Sequence, residues 1–366
     1  SGYGQKLRDF LAKSSNPLKL IDYGGNKIFE SATVDANTLI AANEKNKGET
    51  IAVTIETGCI KNLSDYIMQN GIYMSFESSD NWTILNDVEL SIKNKIEKYG
   101  IKLEDWDISI NRGILTGYND AFIIDEFTKN SLIKSDPKSA ELIRPILRGK
   151  DIKRYSYNFA KLWVICIPCG FTNKYRLKEN PEKWFKSNYS SIYNYLIKIE
   201  TELSKTRSNR IKGLYKRDDQ GDYWWELRSC NYLDDFNKPK IMYNDINKRL
   251  SFCLVNERMY CNNTVYFFQS NNHIYYLLAL LNSKLINWYY KSLSVQLGAA
   301  TVRMFSIYVK RIPIPIPSIA NENIFNELIK KRMFYNDDNI DLIIDQMVYE
   351  LFHLSKDEIN YINNIQ

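Results

Sequence analysis

The stretch ISINRGILTGYNDAFIID (residues 108–125), followed by LIRPILRGKDIKRY (residues 142–155), decides how the rest of this 366-residue chain is read. In its first half, apolar and polar residues alternate on either side of a Gly/Asn-containing turn, which predicts a pair of strands. Its second half closes on four cations, Arg148, Lys150, Lys153 and Arg154, with Tyr155 directly after them. An apolar, turn-rich scaffold that presents a cationic loop with an aromatic beside it suits contact with a phosphate backbone. A charge run taken alone is more often a solvated face.

Composition sets the outer limits. Hydrophobic residues make up 44% and charged residues 25%, the proportions of a globular chain, and the length suffices for two domains and a sizeable core. A net charge of +6 permits an anionic partner without requiring one. The 26 Tyr, 16 Phe and 7 Trp lie among 49 Lys and Arg, a mixture suited to stacking beside phosphate contacts, although AT-rich codon usage also enriches Tyr, Asn, Ile and Lys. No apolar run reaches the ~18 residues of a membrane span, and the N-terminus lacks a basic segment followed by an apolar one. No membrane partner is expected. Of six Cys, only Cys166 and Cys169 are closely spaced, in an apolar strand-like run, and the chain has two His. No metal site is therefore expected, and a reducing cytoplasm fits best.

Upstream of the opening stretch, residues 2–11 predict a short helix with Leu7, Phe10 and Leu11 inward, ended by SSNP. Residues 18–23, 37–42 and 50–55 predict strands, the last two joined across NEKNKGE. Residues 1–56 cannot enclose a core alone and read as the end of an α/β sheet. Residues 57–107 predict two Gly-terminated helices around a strand, a connector without chemistry. Downstream, residues 180–204 predict one long helix lined by Trp184, Phe185, Ile192, Tyr195, Leu196 and Ile199, with proline in its first turn. A basic loop follows, with Lys205, Arg207, Arg210, Lys212, Lys216 and Arg217 in a Ser/Asn/Gly setting, able to track phosphates or simply be solvated. Adjacent Trp224 and Trp225 cannot both face inward on a strand, which leaves one exposed or both buried between layers. Strands are expected near 240–246, 250–255 and 263–268, and a buried apolar helix over 274–290. The Ile-Pro alternation ending at residue 317 predicts a stiff extended edge. Residues 318–366 predict three helices that pack back on the chain.

The opening wording, RGI-x-TG-x-N-x-AFIID and then IRP-x-LRGKDI-x-RY, resembles the TaqI-like specificity domain, the target-recognition part of N6-adenine DNA methyltransferases and of single-chain Type IIG restriction-modification enzymes. F-x-KPKI (236–241), LALLNS-x-L (278–285) and VYELF-x-L (348–354) extend the resemblance. YG-x-KLR-x-FL, ID-x-GG and IFESATVD (28–35) resemble the closing segments of the attached methyltransferase domain. The expected architecture is an α+β fold. A C-terminal remnant of a Rossmann-like α/β methyltransferase sheet (1–56) and connector helices (57–107) precede a β-rich target-recognition domain with core helices (108–317), and a helical tail follows (318–366).

The resemblance also implies roles. Phe29 takes the place of the aromatic that stacks on an adenine flipped from the duplex, a contact worth ~1–3 kcal/mol per base. On its own it reads as a Phe buried at a strand edge. Arg228 and Lys240 fall near the DNA face by the family's Trp-Glu-Leu-Arg and Lys-Pro-Lys-Ile segments. With the basic loops, the expected DNA contacts are Arg148, Lys150, Lys153, Arg154, Arg207, Arg210, Lys212, Lys216, Arg217, Trp224, Arg228, Lys240, Arg303, Lys310 and Arg311. The Asn-Pro-Pro-Tyr box is absent, since Asn16-Pro17 and Asn180-Pro181 continue with Leu and Glu, and so is a glycine-rich cofactor stretch. The chain is thus expected to begin downstream of both. No catalytic residue and no cofactor is expected in it; S-adenosylmethionine, and Mg if a nuclease is attached, belong to the parent protein. Double-stranded DNA and the upstream methyltransferase or nuclease part are the expected partners. The alternative is a protein-docking module with a Trp/Tyr-rich surface and no DNA role. No acidic cluster with a lysine points to a nuclease in this chain.

Overall fold

The computed structural model describes residues 2–31, 36–56, 58–79, 82–206, 213–293, 296–297 and 301–364. The fold is α+β: helix accounts for 47% and strand for 20%, so helices supply most of the walls around the sheets.

Four antiparallel strands form a central sheet in the order Phe252–Val255, Lys240–Asn244, Val265–Phe268 and Ile110–Arg112. Alternate residues of a strand point to opposite faces. Here both faces are covered. Ile241, Tyr243, Phe252, Leu254, Tyr266 and Phe268 enter one core, whereas Met242, Cys253, Val255, Val265 and Phe267 enter the other. Double burial explains why these strands read as unbroken apolar runs.

The first core is walled by the helices Asp87–Tyr99, Ile274–Leu281, Lys284–Leu293, Ile319–Tyr335, Asn339–Leu351 and Lys356–Asn364. Ile92 and Ile96 from the expected connector, and Phe325, Ile329, Ile344 and Val348 from the expected tail, share it with the central sheet. Packing therefore continues across residues 107 and 317. The Ile-Pro stretch contributes Pro313–Ile314, paired antiparallel with Ile101–Lys102. The second core lies between the central sheet and an outer sheet ordered Tyr260–Cys261, Ile143–Leu147, Leu162–Ile165 and Ile123–Asp125.

The opening stretch is not a strand pair. Ile110–Arg112 joins the central sheet and Ile123–Asp125 the outer one. Gly117, at φ 68, and a helical turn over Asn119–Phe122 carry the chain between them. The Thr116 hydroxyl donates to Asn119 Oδ1 at 2.7 Å, and Ala121 and Phe122 are fully buried between the layers. Both long helices are interrupted. The first breaks at Tyr189 into Pro181–Asn188 and Ser190–Thr206. The second breaks at Asn282, whose side chain accepts from Phe252 N at 3.0 Å and donates to Phe252 O at 2.9 Å, closing the buried outer edge of the central sheet as a peptide would.

The N-terminal sheet also departs from expectation. Its order is Asn37–Ala42, Asn16–Asp22, Thr50–Thr54, Ile72–Met74. The strands 37–42 and 50–54 are not a hairpin: Asn16–Asp22 lies between them, antiparallel to the first and parallel to the second. The connecting loop crosses the sheet end and is fixed there by Asn46, whose amide donates to Ala12 O and Phe76 O at 3.1 and 2.9 Å. The fourth strand comes from beyond residue 56, so this unit extends at least to Met74. The helix Gly2–Ser14 turns Leu7 and Phe10 outward, 58% and 61% exposed, contrary to the inward placement its periodicity suggests.

Candidate nucleic-acid interface

One end of the central sheet gathers a polar, cationic surface. The Arg148–Asp151 turn is braced internally: the Arg148 guanidinium donates to both oxygens of Asp151 at 3.0 Å, and Arg148 N donates to the same carboxylate at 2.8 Å. Gly149 N donates to Thr264 Oγ1 at 3.0 Å, and Asn262 Oδ1 accepts from that hydroxyl at 2.7 Å. Asp245 N donates to Thr264 O at 2.9 Å, and Met304 N to Asp245 O at 2.9 Å. The ribbon Ile246–Asn247 pairs with Thr301–Arg303. The turn 148–151, the corner 244–249, the Asn262–Thr264 turn and Arg303 thus form one continuous face.

Charge on this face is arranged around Asp245. Burial raises its carboxyl pKa above the ordinary value, against the opposing pull of Arg303 and Arg112. Arg112 donates to Asn263 O at 2.7 Å and lies 5.7 Å from the Tyr266 ring centroid. Asn244 and Asn247 are joined through their side-chain amides. Arg, Asn and Asp at strand ends are the side chains that read base edges in a major groove. Of these, only Arg303 was singled out from sequence. Arg112, Asn244, Asp245, Asn247, Lys248, Arg249 and Asn263 were missed, although NDINKR (244–249) and NNT (262–264) carry the polar signal.

The other expected contacts divide by burial. Lys150 and Lys153 are exposed and form no ion pair among the described residues. Arg154 is half-buried, donating to Asn282 O from Nε and Nη2 at 3.0 and 2.8 Å and pairing with Asp341. Lys216 and Arg311 are exposed, and Arg303 and Lys310 are half-buried. Arg228 is exposed, 3.3 Å from Asp219, and lines a cavity of about 650 Å³ that Arg112 also borders. Trp224 is half-buried, edge-on to Tyr215 at 4.8 Å, whereas Trp225 lies inside, stacked on Phe185 at 5.2 Å. Arg207, Arg210 and Lys212 lie outside the described residues.

Two expected contacts are corrected. Lys240 is 0% exposed, and its ammonium donates to Phe236 O, Lys238 O and Glu257 O at 2.9, 2.9 and 3.0 Å. Arg217 is buried over the Phe122 ring, donates to Thr116 O at 2.9 Å and also holds the carbonyls of Trp224 and Glu226. Both cations serve as internal clamps, because a buried charge survives only with its donors satisfied.

Phe29 is 52% exposed, not buried at a strand edge. Its loop is held at the base by Asn26, which donates to Tyr23 O and Ile55 O at 2.6 and 3.0 Å. Elsewhere Cys169, Asp222 and Glu226 approach within 4.8 Å. Glu226, however, already accepts from the backbone N–H of Gly170, Thr172 and Asp222 at 3.1, 2.8 and 3.0 Å. It therefore works as a clamp on the 170–172 turn. Among the described residues, no helix is long and apolar enough to cross a membrane.

Comparison with known proteins finds a solved restriction-modification enzyme of similar fold. The chain is similar to the Type IIL restriction-modification enzyme MmeI, solved in complex with DNA (TM-score 0.53, 11% identity, 96% of this chain and 44% of that chain). The type IIG restriction endonuclease BpuSI aligns at TM-score 0.46 and 12% identity, over 98% of this chain and 45% of that one. Among curated proteins, the Type II methyltransferase M.BstVI of Geobacillus stearothermophilus is 19% identical over 383 residues, covering 99% of this chain. The chain spans 63% of that relative's length. Residues 144–314 match the model of the TaqI-like C-terminal specificity domain.

Proposed function

We propose that this chain recognises duplex DNA on behalf of a parent adenine-N6 methyltransferase of a restriction-modification system, of Type IIG organisation. The observation that carries the reading is the continuous face built from the Arg148–Asp151 turn, the 244–249 corner, the Asn262–Thr264 turn and Arg303, inside the matched specificity segment. Lys150 and Lys153 grip phosphates beside it, and the Arg/Asn/Asp groups supply the donors and acceptors that base edges require. Methyl transfer from S-adenosylmethionine belongs to the parent, which would also hold Mg if it carries a nuclease. The protein-docking alternative would draw on exposed aromatics such as Tyr73, Phe127, Phe334 and Tyr335, since Trp184, Phe185, Tyr189, Trp225, Phe236 and Phe267 are core residues. A mobility-shift assay with mixed-sequence duplexes separates the two: shifted duplex supports this reading, and no shift at low salt removes it.

In the same reading, Phe29 receives the flipped adenine on its exposed ring. Phe29→Ala in the parent enzyme should weaken binding to a duplex with an unpaired target adenine by ~1–3 kcal/mol, with a smaller effect on fully paired DNA. Equal losses on both duplexes would assign Phe29 to packing instead.

A further inference from the structure

Tyr155 ends the basic loop at φ 63, a left-handed conformation that a bulky L-residue rarely adopts. Such a residue persists only where its surroundings over-determine it. Tyr155 N donates to Phe252 O at 2.8 Å, and its buried ring is flanked by the guanidinium groups of Arg154 and Arg332, 4.8 and 5.2 Å from the centroid. These two cations meet on one carboxylate. Asp341 pairs with Arg154 through one oxygen and accepts from Arg332 Nε through the other at 2.9 Å. Arg332 is further fixed by Asn336 and Asp338 at 2.7 and 2.6 Å. One turn along the helix, buried Asp345 accepts from Lys284 N at 2.8 Å. The helix Asn339–Leu351 thus directs two carboxylates, four residues apart, at the break between Leu281 and Lys284 and at the arginine next to it.

We propose that Asp341 is a positioning residue for DNA recognition. It fixes Arg154 and, through Arg154, the strained backbone at Tyr155, so that the loop Arg148–Tyr155 presents Lys150 and Lys153 in one geometry. The proposal rests on the reading of that loop as a DNA contact. A preorganised loop spares the complex the entropy of ordering it. Asp341 is buried and does not itself reach DNA. The direction of the effect is therefore diagnostic. Removing a negative charge from a DNA-binding protein should tighten binding if only the long-range field matters, whereas loss of positioning weakens it.

The test uses the whole chain with Asp341→Asn, the milder Asp341→Glu, and Phe325→Leu, which loosens the same tail away from the relay. Affinity for mixed-sequence duplex is measured at fixed salt, together with the rate of tryptic cleavage after Lys150 and Lys153. Asp341→Asn should weaken binding about tenfold through lost preorganisation and speed cleavage in this loop, Asp341→Glu should fall between it and wild type, and Phe325→Leu should change neither. Binding by Asp341→Asn at or above the wild-type level, with a protected loop, would overturn the proposal. So would equal losses in Phe325→Leu. Failure of the wild type to bind any duplex would instead remove the DNA reading, and the cleavage rates would still decide whether Asp341 fixes the loop.

Discussion

Lys240→Met is expected to destabilise the protein by about 2 kcal/mol, because the buried Phe236 carbonyl and the part-buried carbonyls of Lys238 and Glu257 lose their donor at about 0.5–1 kcal/mol each. The side-chain volume is nearly conserved, so the loss reflects hydrogen bonding and not a cavity. Lys240 joins Phe236 and Lys238 at the start of its own strand to Glu257 in the turn after the neighbouring one, and it is fully buried. Burial lowers its pKa to about 8. The unfolded chain keeps a value of about 10.4. Between the two the unfolded state binds more protons, so stability contributed by this group rises with pH. The penalty of Lys240→Met should accordingly widen between pH ~8 and ~10. Urea unfolding of both proteins at several pH values measures this; a difference below about 1 kcal/mol would mean that the carbonyls find other donors. The substitution should leave the salt dependence of DNA binding unchanged, since this cation does not face solvent.

The double substitution Lys150→Ala/Lys153→Ala should do the opposite. Both side chains are exposed and form no ion pair among the described residues, so stability should change by no more than about 0.5 kcal/mol. Two phosphate contacts would be lost, lowering the steepness of log affinity against log salt by about 2 and the affinity itself about 10- to 100-fold at low salt. An unchanged slope would place the phosphate contacts elsewhere. Arg148→Ala serves as contrast: its guanidinium is bound to Asp151 within its own turn, so it should lose stability as well as affinity.

The sequence displays best what is settled by burial alone. VYFF, FCLV and KIMY read as strands because apolar residues cover both faces of the central sheet, and the last two tail helices follow from their own periodicity, whereas Ile319–Tyr335 spreads its apolar residues around the helix. Local pattern says nothing about which sheet a strand joins. Residues 108–125 therefore looked like a hairpin, although their two strands belong to different layers. The break at Asn282 depends on Phe252, thirty residues away, and no helical pattern records it. The same holds for the cations. Arg217 is an internal clamp because Thr116, a hundred residues earlier, offers it a carbonyl. Arg112, Asn244 and Asn263 became candidates only when strand pairing brought the ends of three separate segments together.

The central claim is that this fold holds duplex DNA through cationic loops, and the most direct measurement is the affinity of the whole chain for mixed-sequence duplex as salt rises from ~50 to ~200 mM. Several phosphate contacts predict a straight, steep decline of log affinity against log salt, made shallower by Lys150→Ala/Lys153→Ala. No binding at the lowest salt, or an affinity that stays level across the range, would contradict it.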